Sequence, residues 1–277
     1  MTVVLSGFAD EIAADLDAQL EVLAGLSIRH LELRSAWSVT VADLDDQQVA
    51  RIRRALDGAG VTVSAIGSPI GKIPVEAPLA PELDRLRRIA DIAAALGTPL
   101  VRVFSFFLPA GRRPEEFRGP VLDRMAALAG IAEERGLVLA HENEKEIYGD
   151  VPERCAEIIR VVGSPALRAT FDAANFVQCG VAAPHDQGYP LLAPYLEYLQ
   201  VKDALAATGA VVPAGQGDGQ VRQTLAALND AGFAGFVSLE PHLAVAGRFG
   251  GFSGPEDFTR AARALFGLLD DLGMSWR

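Results

Sequence analysis

The sequence has few of the features that mark several large classes of protein. It has two cysteines, Cys155 and Cys179, and no CxxC pair, which argues against thiol redox chemistry and a cysteine-based zinc site. No apolar run approaches the roughly 20 residues that span a bilayer. The first residues lack the basic flank and cleavage site of a signal peptide. We therefore expect a cytoplasmic protein with no membrane partner.

Basic residues are scarce relative to acidic ones. The chain has 25 Lys and Arg against 36 Asp and Glu, a formal net charge of −11. Contacts to nucleic-acid phosphates need clustered Lys and Arg, so this balance argues against a nucleic-acid partner. Apolar residues make up 50% of the chain, which is enough for a sizeable core and argues against disorder.

What the sequence does contain is a regular alternation of short apolar runs and longer segments with helical spacing. The short runs have the composition of buried parallel strands. They are Val3–Phe8, Ile28–Arg34, Val61–Ile66, Leu100–Phe106, Leu137–Asn143, Leu167–Ala173, Leu196–Asp203 and Phe236–His242. Pro near helix starts and Gly after helix ends delimit the segments between them. The predicted helices are Asp10–Leu26, Asp43–Ala59, Ala80–Leu96, Pro114–Arg135, Val151–Val162, a short one near Tyr189–Tyr195, Gln220–Ala231 and Pro255–Leu272.

Eight strands that alternate with helices predict an α/β fold, a single (β/α)8 TIM barrel that takes up residues 1–277 as one domain. Such barrels typically need about 250 residues. A doubly wound open sheet is the alternative. The first strand is followed by SGFADE and not by a GxGxxG loop, which argues against a dinucleotide-binding sheet. The Gly-rich segment Ala246–Gly254 is predicted to be a long loop after the last strand.

Four consecutive predicted strands end in side chains that carry oxygen. These side chains are Glu142, Asp172, Gln200 and Glu240. Active sites of such barrels form at the carboxyl ends of the strands. Three carboxylates converging there would repel one another, and a divalent cation would relieve the repulsion. An oxygen-only set suits Mn²⁺ or Mg²⁺ better than Zn²⁺. A single acid at a strand end would more often be solvated or cap a helix, so the prediction rests on the four together.

The chain resembles the xylose-isomerase-like TIM-barrel family over nearly its whole length. The motifs that carry the resemblance are HEN at 141–143, FDxxN at 171–175, QxKD at 200–203, GxGD at 215–218 and SLEP at 238–241. The family includes sugar isomerases, ketose 3-epimerases, inosose dehydratases and 3-dehydroshikimate dehydratases, with endonuclease IV as a distant relative. The resemblance implies that Glu142, Asp172, Gln200 and Glu240 hold one divalent ion. Mn²⁺ or Mg²⁺ is favoured, and Zn²⁺ or Co²⁺ is the alternative.

Two positions depart from the family's pattern. Gln200 and Asn175 stand where many members have His. A Gln ligand weakens the case for tightly held zinc. The missing histidines and the acidic charge together argue against a multi-zinc endonuclease.

The resemblance implies a sugar isomerase or epimerase that acts on a small polyhydroxylated carbonyl compound, a sugar or a cyclitol. Its catalytic residues would be Glu142 and Glu240, which remove and return a carbon-bound proton while the metal stabilises the enediolate. The alternative is a metal-dependent lyase of the inosose dehydratase or 3-dehydroshikimate dehydratase type, which expels a β-hydroxyl from the same enolate. A non-catalytic sugar-binding barrel is a third hypothesis, against which the filled ligand positions argue.

Six further residues are predicted to bind the substrate. They are Asn175, Lys202, His242, Glu32, Arg102 and Lys145. Lys202 and His242 share strand parity with Gln200 and Glu240, so they face the same mouth. Other roles stay open: Lys202 would neutralise the acidic rim, and Arg102 would be a buried ion-pair partner.

Three points about the predicted site and its partners remain. His141 is one residue out of phase with Glu142, so it is expected to face the helical layer or the rim, in a structural role. Arg248, in the last loop, is a candidate contact for an anionic substrate. The sequence leaves open the identity and phosphorylation of the substrate, and whether the chain forms a homo-oligomer.

Overall fold

Eight parallel strands form the inner wall of the fold. The computed structural model describes residues 2–247 and 250–277. The strands are β1 Thr2–Gly7, β2 His30–Leu33, β3 Thr62–Ile66, β4 Leu100–Val103, β5 Val138–Glu142, β6 Leu167–Asp172, β7 Leu196–Val201 and β8 Phe236–Leu239. Each lies within one of the predicted runs or starts one residue before it, so the strand predictions are confirmed.

The strands form one curled parallel sheet. From β2 to β8 they are hydrogen-bonded in chain order, and β8 pairs with β1. At the two ends of this run, β1 and β2 contact each other. A doubly wound sheet would reverse its strand order at a switch point, and this sheet does not. The TIM-barrel prediction is therefore confirmed.

The helices lie outside this sheet, between successive strands. They are α1 Leu16–Gly25, α2 Asp46–Ala59, α3 Ala80–Leu96, α4 Arg118–Arg135, α5 Pro152–Val162, α6 Ala173–Gln178, α7 Pro184–Leu192, α8 Val221–Asp230 and α9 Gly254–Asp271. The start and end of α2 show how particular residues set the two ends of a helix. Asp45 and Gln48 form a capping box at its start, and Gly60 ends it with a left-handed φ of 63°.

Several segments differ from the prediction, among them α6, which was not predicted, and the three that follow. The predicted helix Asp10–Leu26 consists of a 3-10 turn, Ala9–Glu11, followed by α1, because the Asp15 side chain caps the backbone at Asp17 and starts a new helix there. The segment predicted as a loop pairs as a short antiparallel hairpin, Val245–Gly247 with Gly250–Phe252. A ninth strand, β9 (Ser275–Trp276), pairs with β1 and was not predicted because two residues carry no periodicity.

The space between sheet and helices is apolar, whereas the barrel interior contains a polar layer. Ser6 Oγ and Ser64 Oγ are 2.6 Å apart, and Ser64 Oγ lies 2.8 Å from the hydroxyl of Tyr198. All three side chains are buried. Buried polar groups of this kind are stable when each has a partner. The candidate site lies at the carboxyl ends of the strands.

None of the helices within residues 2–247 and 250–277 has both the length and the apolar character needed to cross a bilayer.

Candidate active site

The carboxyl ends of β5 to β8 bring the predicted metal ligands together. One carboxylate oxygen from each of Glu142, Asp172 and Glu240 lies within 4.8 Å of the others. Gln200 stands directly beside Asp172 in the pairing of β6 and β7. All four side chains are buried. Four separate strands thus contribute one oxygen-bearing side chain each, as the sequence predicts.

The donor chemistry of this set fits a divalent cation. Gln200 Nε2 donates to Glu32 Oε1 at 3.1 Å, while Gln200 Oε1 is buried and has no hydrogen-bond partner among the described residues. An unpartnered buried acceptor costs about 1–3 kcal/mol, which coordination to a cation would offset. Three carboxylates and one amide oxygen form the hard, oxygen-only set that Mg²⁺ and Mn²⁺ prefer.

The balance of charge at the site also fits a divalent cation. The predicted ligands and their neighbours comprise six carboxylates and three permanently cationic side chains. The carboxylates are those of Asp10, Glu11, Glu32, Glu142, Asp172 and Glu240, and the cations are those of Arg34, Arg102 and Lys202. At full ionisation the carboxylates outnumber the cations by three (6 − 3), and a divalent ion would reduce that excess.

Two asparagines hold the acidic ligands in place. Asn143 exchanges two hydrogen bonds with the backbone of Asp172, at 2.8 and 2.9 Å. Asn175, in the first turn of α6, donates its backbone N–H to Asp172 Oδ1 and its side-chain Nδ2 to Glu142 Oε1, at 2.9 and 3.0 Å. Asn175 thus contacts two of the predicted ligands, and its predicted contact with the substrate remains a prediction. Asn143 was quoted in the HEN motif, but no role was assigned to it.

Lys202 and Arg102 lie among the carboxylates. Lys202 Nζ is 3.0 Å from Asp172 Oδ2 and 2.9 Å from Glu240 Oε2. Arg102 Nη1 is 3.2 Å from Glu142 Oε2 and 3.6 Å from Glu240 Oε1. Both side chains are therefore ion-pair partners of the predicted ligands. Their predicted contact with substrate remains a prediction.

The two predicted catalytic carboxylates have opposite electrostatic environments. Burial raises the pKa of Glu142 to about 8, although Arg102 works against the shift. Burial would also raise the pKa of Glu240, but Lys202 and His242 outweigh it and hold that pKa well below its usual range. Glu240 is therefore ionised at neutral pH, whereas Glu142 holds a proton readily. Carboxyl groups whose environments separate their pKa values in this way are typical of acid–base pairs.

The turn after β1 contributes two site residues that sequence reasoning missed. Asp10 Oδ2 accepts a 2.8 Å hydrogen bond from Nε of Arg34, whose Nη1 is 3.2 Å from Glu240 Oε1. Glu11 Oε1 lies 3.2 Å from Nε2 of His242, which is itself 3.4 Å from Glu240 Oε1. The signal was the pair of acids directly after a strand, but it was interpreted as the start of a helix. His242 reaches the predicted ligands, as its parity predicts.

Of the remaining predicted substrate contacts, Lys145 lies at the rim of the barrel and Glu32 lies in its interior. Lys145 is half-exposed at the rim, where Nζ is 2.6 Å from Gln178 Oε1 and 3.1 Å from Glu144 Oε1. Lys72, which was not predicted, has Nζ 3.3 Å from Glu144 Oε2. Glu32 is buried, and protein donors bind both of its oxygens. Arg248 lies outside the described residues.

Comparison with known proteins gives the family of the chain. Residues 21–266 match the family described as Xylose isomerase-like TIM barrel, and the chain belongs to that family. It is 33% identical over 186 residues to 2-epi-5-epi-valiolone 7-phosphate 2-epimerase from an Actinoplanes species. That alignment spans 65% of this chain and 65% of the relative, less than two thirds of its length.

Two solved structures show the same fold. One is a D-tagatose 3-epimerase-like protein, with a TM-score of 0.80 and 16% identity over 98% of both chains. The other is a xylose isomerase-like TIM barrel protein from Mycobacterium smegmatis in complex with magnesium, with a TM-score of 0.68 and 21% identity over 97% of both chains. At these identities the likeness establishes the fold alone.

Proposed function

We propose that the protein is a divalent-metal-dependent epimerase of a small polyhydroxylated carbonyl compound, a sugar or a cyclitol. The observation that carries the proposal is the convergence of Glu142, Asp172 and Glu240, with one oxygen of each within 4.8 Å of the others. The relative at 33% identity supports the class of reaction, since its name describes a 2-epimerase of a valiolone phosphate. The magnesium in the structure of another family member supports the class of ion.

In this proposal Glu142, Asp172, Gln200 and Glu240 hold the ion. Once bound, the ion would stabilise negative charge on the substrate oxygens and so make the neighbouring C–H bond more acidic. Epimerisation needs one group to remove the proton and another to return it. Glu240, which is ionised at neutral pH, would accept the proton, and Glu142, whose pKa is raised, would donate one.

The neighbouring side chains keep the two carboxylates in position for this exchange. Asn175 Nδ2 donates to one oxygen of Glu142 at 3.0 Å, and Lys202 Nζ donates to one oxygen of Glu240 at 2.9 Å. Each bond occupies one oxygen and restrains the carboxylate. The other oxygen of Glu142 lies 3.2 Å from Arg102 Nη1, and the other oxygen of Glu240 accepts a 3.2 Å hydrogen bond from Arg34 Nη1, so the ion or the substrate would displace these contacts.

The test is proton exchange at the carbon that inverts. The protein is incubated with Mn²⁺ in D₂O and either 2-epi-5-epi-valiolone 7-phosphate or D-tagatose, and the reaction is followed by NMR. We expect a second epimer that carries deuterium at the inverted carbon, and no such product from Glu142→Gln or Glu240→Gln. Deuterium exchange that is as fast in both variants as in the wild type would contradict the assigned roles.

The same experiment distinguishes the lyase alternative, in which the same ion would stabilise an enolate that expels a β-hydroxyl. A lyase would release water and form a conjugated carbonyl product that absorbs in the ultraviolet. Formation of that product in place of an epimer would establish the lyase.

A further inference from the structure

Glu32, on β2, makes a contact with the candidate metal site that its predicted role did not include. Its Oε1 accepts a 3.1 Å hydrogen bond from Gln200 Nε2, and its Oε2 accepts a 2.9 Å hydrogen bond from Ser238 Oγ. The side chain is 1% exposed. Both oxygens thus bind protein donors in the barrel interior, on strands that lie far apart in the sequence.

The orientation of the Gln200 amide decides whether this side chain can serve as a ligand. An amide has an oxygen that accepts and an NH₂ group that donates, and the two ends are nearly equal in size. Only the oxygen can coordinate a cation. The carboxylates on the metal side of Gln200 accept hydrogen bonds, so by themselves they would attract the NH₂ group and present the wrong end to the ion.

A second acceptor on the other side of the amide reverses this preference. Both oxygens of Glu32 accept hydrogen bonds here, so its carboxylate offers Gln200 an acceptor. Because Glu32 Oε1 binds the Gln200 NH₂ group, the amide oxygen is left without a protein partner among the described residues. Ser238, which stands directly beside Gln200 in the pairing of β7 and β8, holds the second oxygen of Glu32 and limits its rotation.

We propose that Glu32 is a positioning residue: it holds the Gln200 amide so that Oε1 is presented to the divalent ion, and it does so instead of contacting the substrate. The inference rests on the proposed function, since it concerns the same ion. Partners that orient a metal ligand typically change metal affinity by 10- to 100-fold when they are removed.

The test is a double-mutant cycle on Mn²⁺ affinity, measured by isothermal titration calorimetry of the full chain. Glu32→Met removes the acceptor and keeps a side chain of similar length. We expect it to weaken Mn²⁺ binding about 10- to 100-fold when Gln200 is present. In a Gln200→Ala background the same substitution should have no further effect, because no amide remains to orient. An equal loss in both backgrounds would overturn the proposal, as would an unchanged affinity in the single variant.

Two further variants separate positioning from general damage to the barrel interior. Glu32→Gln keeps an accepting oxygen and should retain most of the affinity, so a loss as large as that of Glu32→Met would also overturn the proposal. Ser6→Ala removes a hydroxyl from the same polar layer, 2.6 Å from Ser64 Oγ, without removing the acceptor of Gln200. It should leave Mn²⁺ affinity unchanged, and a loss equal to that of Glu32→Met would contradict a specific role for Glu32.

The two proposals fail in different ways. If the wild-type protein binds no Mn²⁺, the proposed function fails. If the wild type binds Mn²⁺ and Glu32→Met binds it equally well, only the positioning role fails.

Discussion

The two halves of the barrel contribute different groups to the mouth. Strands β5 to β8 supply the four predicted ligands, each within one residue of the end of its strand. Strands β1 to β4 and the turn after β1 supply side chains that contact those ligands, including Arg34 and Arg102. The ligands therefore come from one continuous half of the chain, and much of their charge balance and orientation comes from the other.

Glu240 has ion-pair partners from both halves of the barrel. Its Oε1 is 3.2 Å from Arg34 Nη1 and 3.6 Å from Arg102 Nη1, both from the first half. Its Oε2 is 2.9 Å from Lys202 in the second half. Lys202, His242 and Arg102 hold the pKa of this buried carboxylate low, whereas burial raises that of Glu142. The contrast between the two carboxylates thus depends on contacts between distant parts of the chain.

The largest effect should follow from removing a carboxylate of the second half. Glu240→Gln or Glu142→Gln should lower kcat for the identified substrate by about 10²- to 10⁴-fold, which is what a general acid or base contributes. The steady-state rate with saturating Mn²⁺ measures it. Asp84→Asn, which alters a carboxylate that is 77% exposed, is the control and should match the wild type. A fall of less than tenfold in both catalytic variants would contradict their assigned roles.

In the first half, Arg102→Met should act mainly on stability. The substitution leaves Glu142 and Glu240 buried with one cation fewer, and breaking a buried pair in this way costs about 3–5 kcal/mol of unfolding free energy. Urea denaturation measures the loss, and Mn²⁺ should restore part of it by supplying positive charge.

Arg87→Met provides the matched control for Arg102→Met, because Arg87 pairs with Asp84 on the surface. Its unfolding free energy should equal that of the wild type within error. If Arg102→Met is no less stable than Arg87→Met, the first half does not balance the charge of the ligands.

His141 and Glu142 are neighbours on β5 and therefore lie on opposite faces of that strand. His141 is buried, and neither of its ring nitrogens has a hydrogen-bond partner among the described residues. Burial lowers its pKa from 6.5 to about 4. The unfolded state therefore binds more protons between these values, and stability falls as pH decreases from about 6.5 to about 4.

The contribution of His141 to this fall is about 3 kcal/mol, since one pKa unit corresponds to about 1.4 kcal/mol. Urea denaturation at pH 7 and pH 4 measures it in the wild type and in His141→Leu. The leucine variant should lose that much less stability between the two pH values. An identical pH dependence in both proteins would contradict the assigned state of His141.

The smallest effect is expected at Asp203, the last residue of the QxKD motif, whose side chain binds the backbone of the GxGD motif. Asp203 accepts hydrogen bonds from the backbone N–H groups of Ala204, Gly215, Gly217 and Gly219. Asp203→Asn keeps one accepting oxygen and should cost about 1–3 kcal/mol in urea denaturation. Asp218→Asn is the control, because Asp218 is exposed and accepts one such bond, from Ala206, and it should cost less. Equal losses would argue against this function of Asp203.

The second half of the site could be predicted from the sequence, and physical reasons explain why. Each strand is a short apolar run, and the carboxyl ends of parallel strands meet on one side of a barrel. A polar side chain that follows such a run, as Glu142, Asp172 and Glu240 do, is therefore placed without knowledge of the packing. Strand order makes β6 and β7 neighbours, and the register of their pairing places Gln200 beside Asp172.

The first half could not be predicted in the same way. Asp10 and Glu11 lie in a 3-10 turn, and their place in the site depends on the contact of that turn with Arg34 and His242. Glu32 was predicted as a substrate contact because it ends a strand, but its hydrogen bonds are to Gln200 and Ser238. Such contacts join residues that are far apart in sequence, and no local pattern records them.

The most direct test of the proposed metal site is elemental analysis of the protein after incubation with Mn²⁺ and removal of unbound ion, for the wild type and for Glu240→Gln. The proposed function predicts about one Mn²⁺ per chain in the wild type and little or none in the variant, because one of the three carboxylates within 4.8 Å of one another is lost. No bound Mn²⁺ in either protein would contradict a metal site at these strand ends. Equal binding in both would place the ion elsewhere.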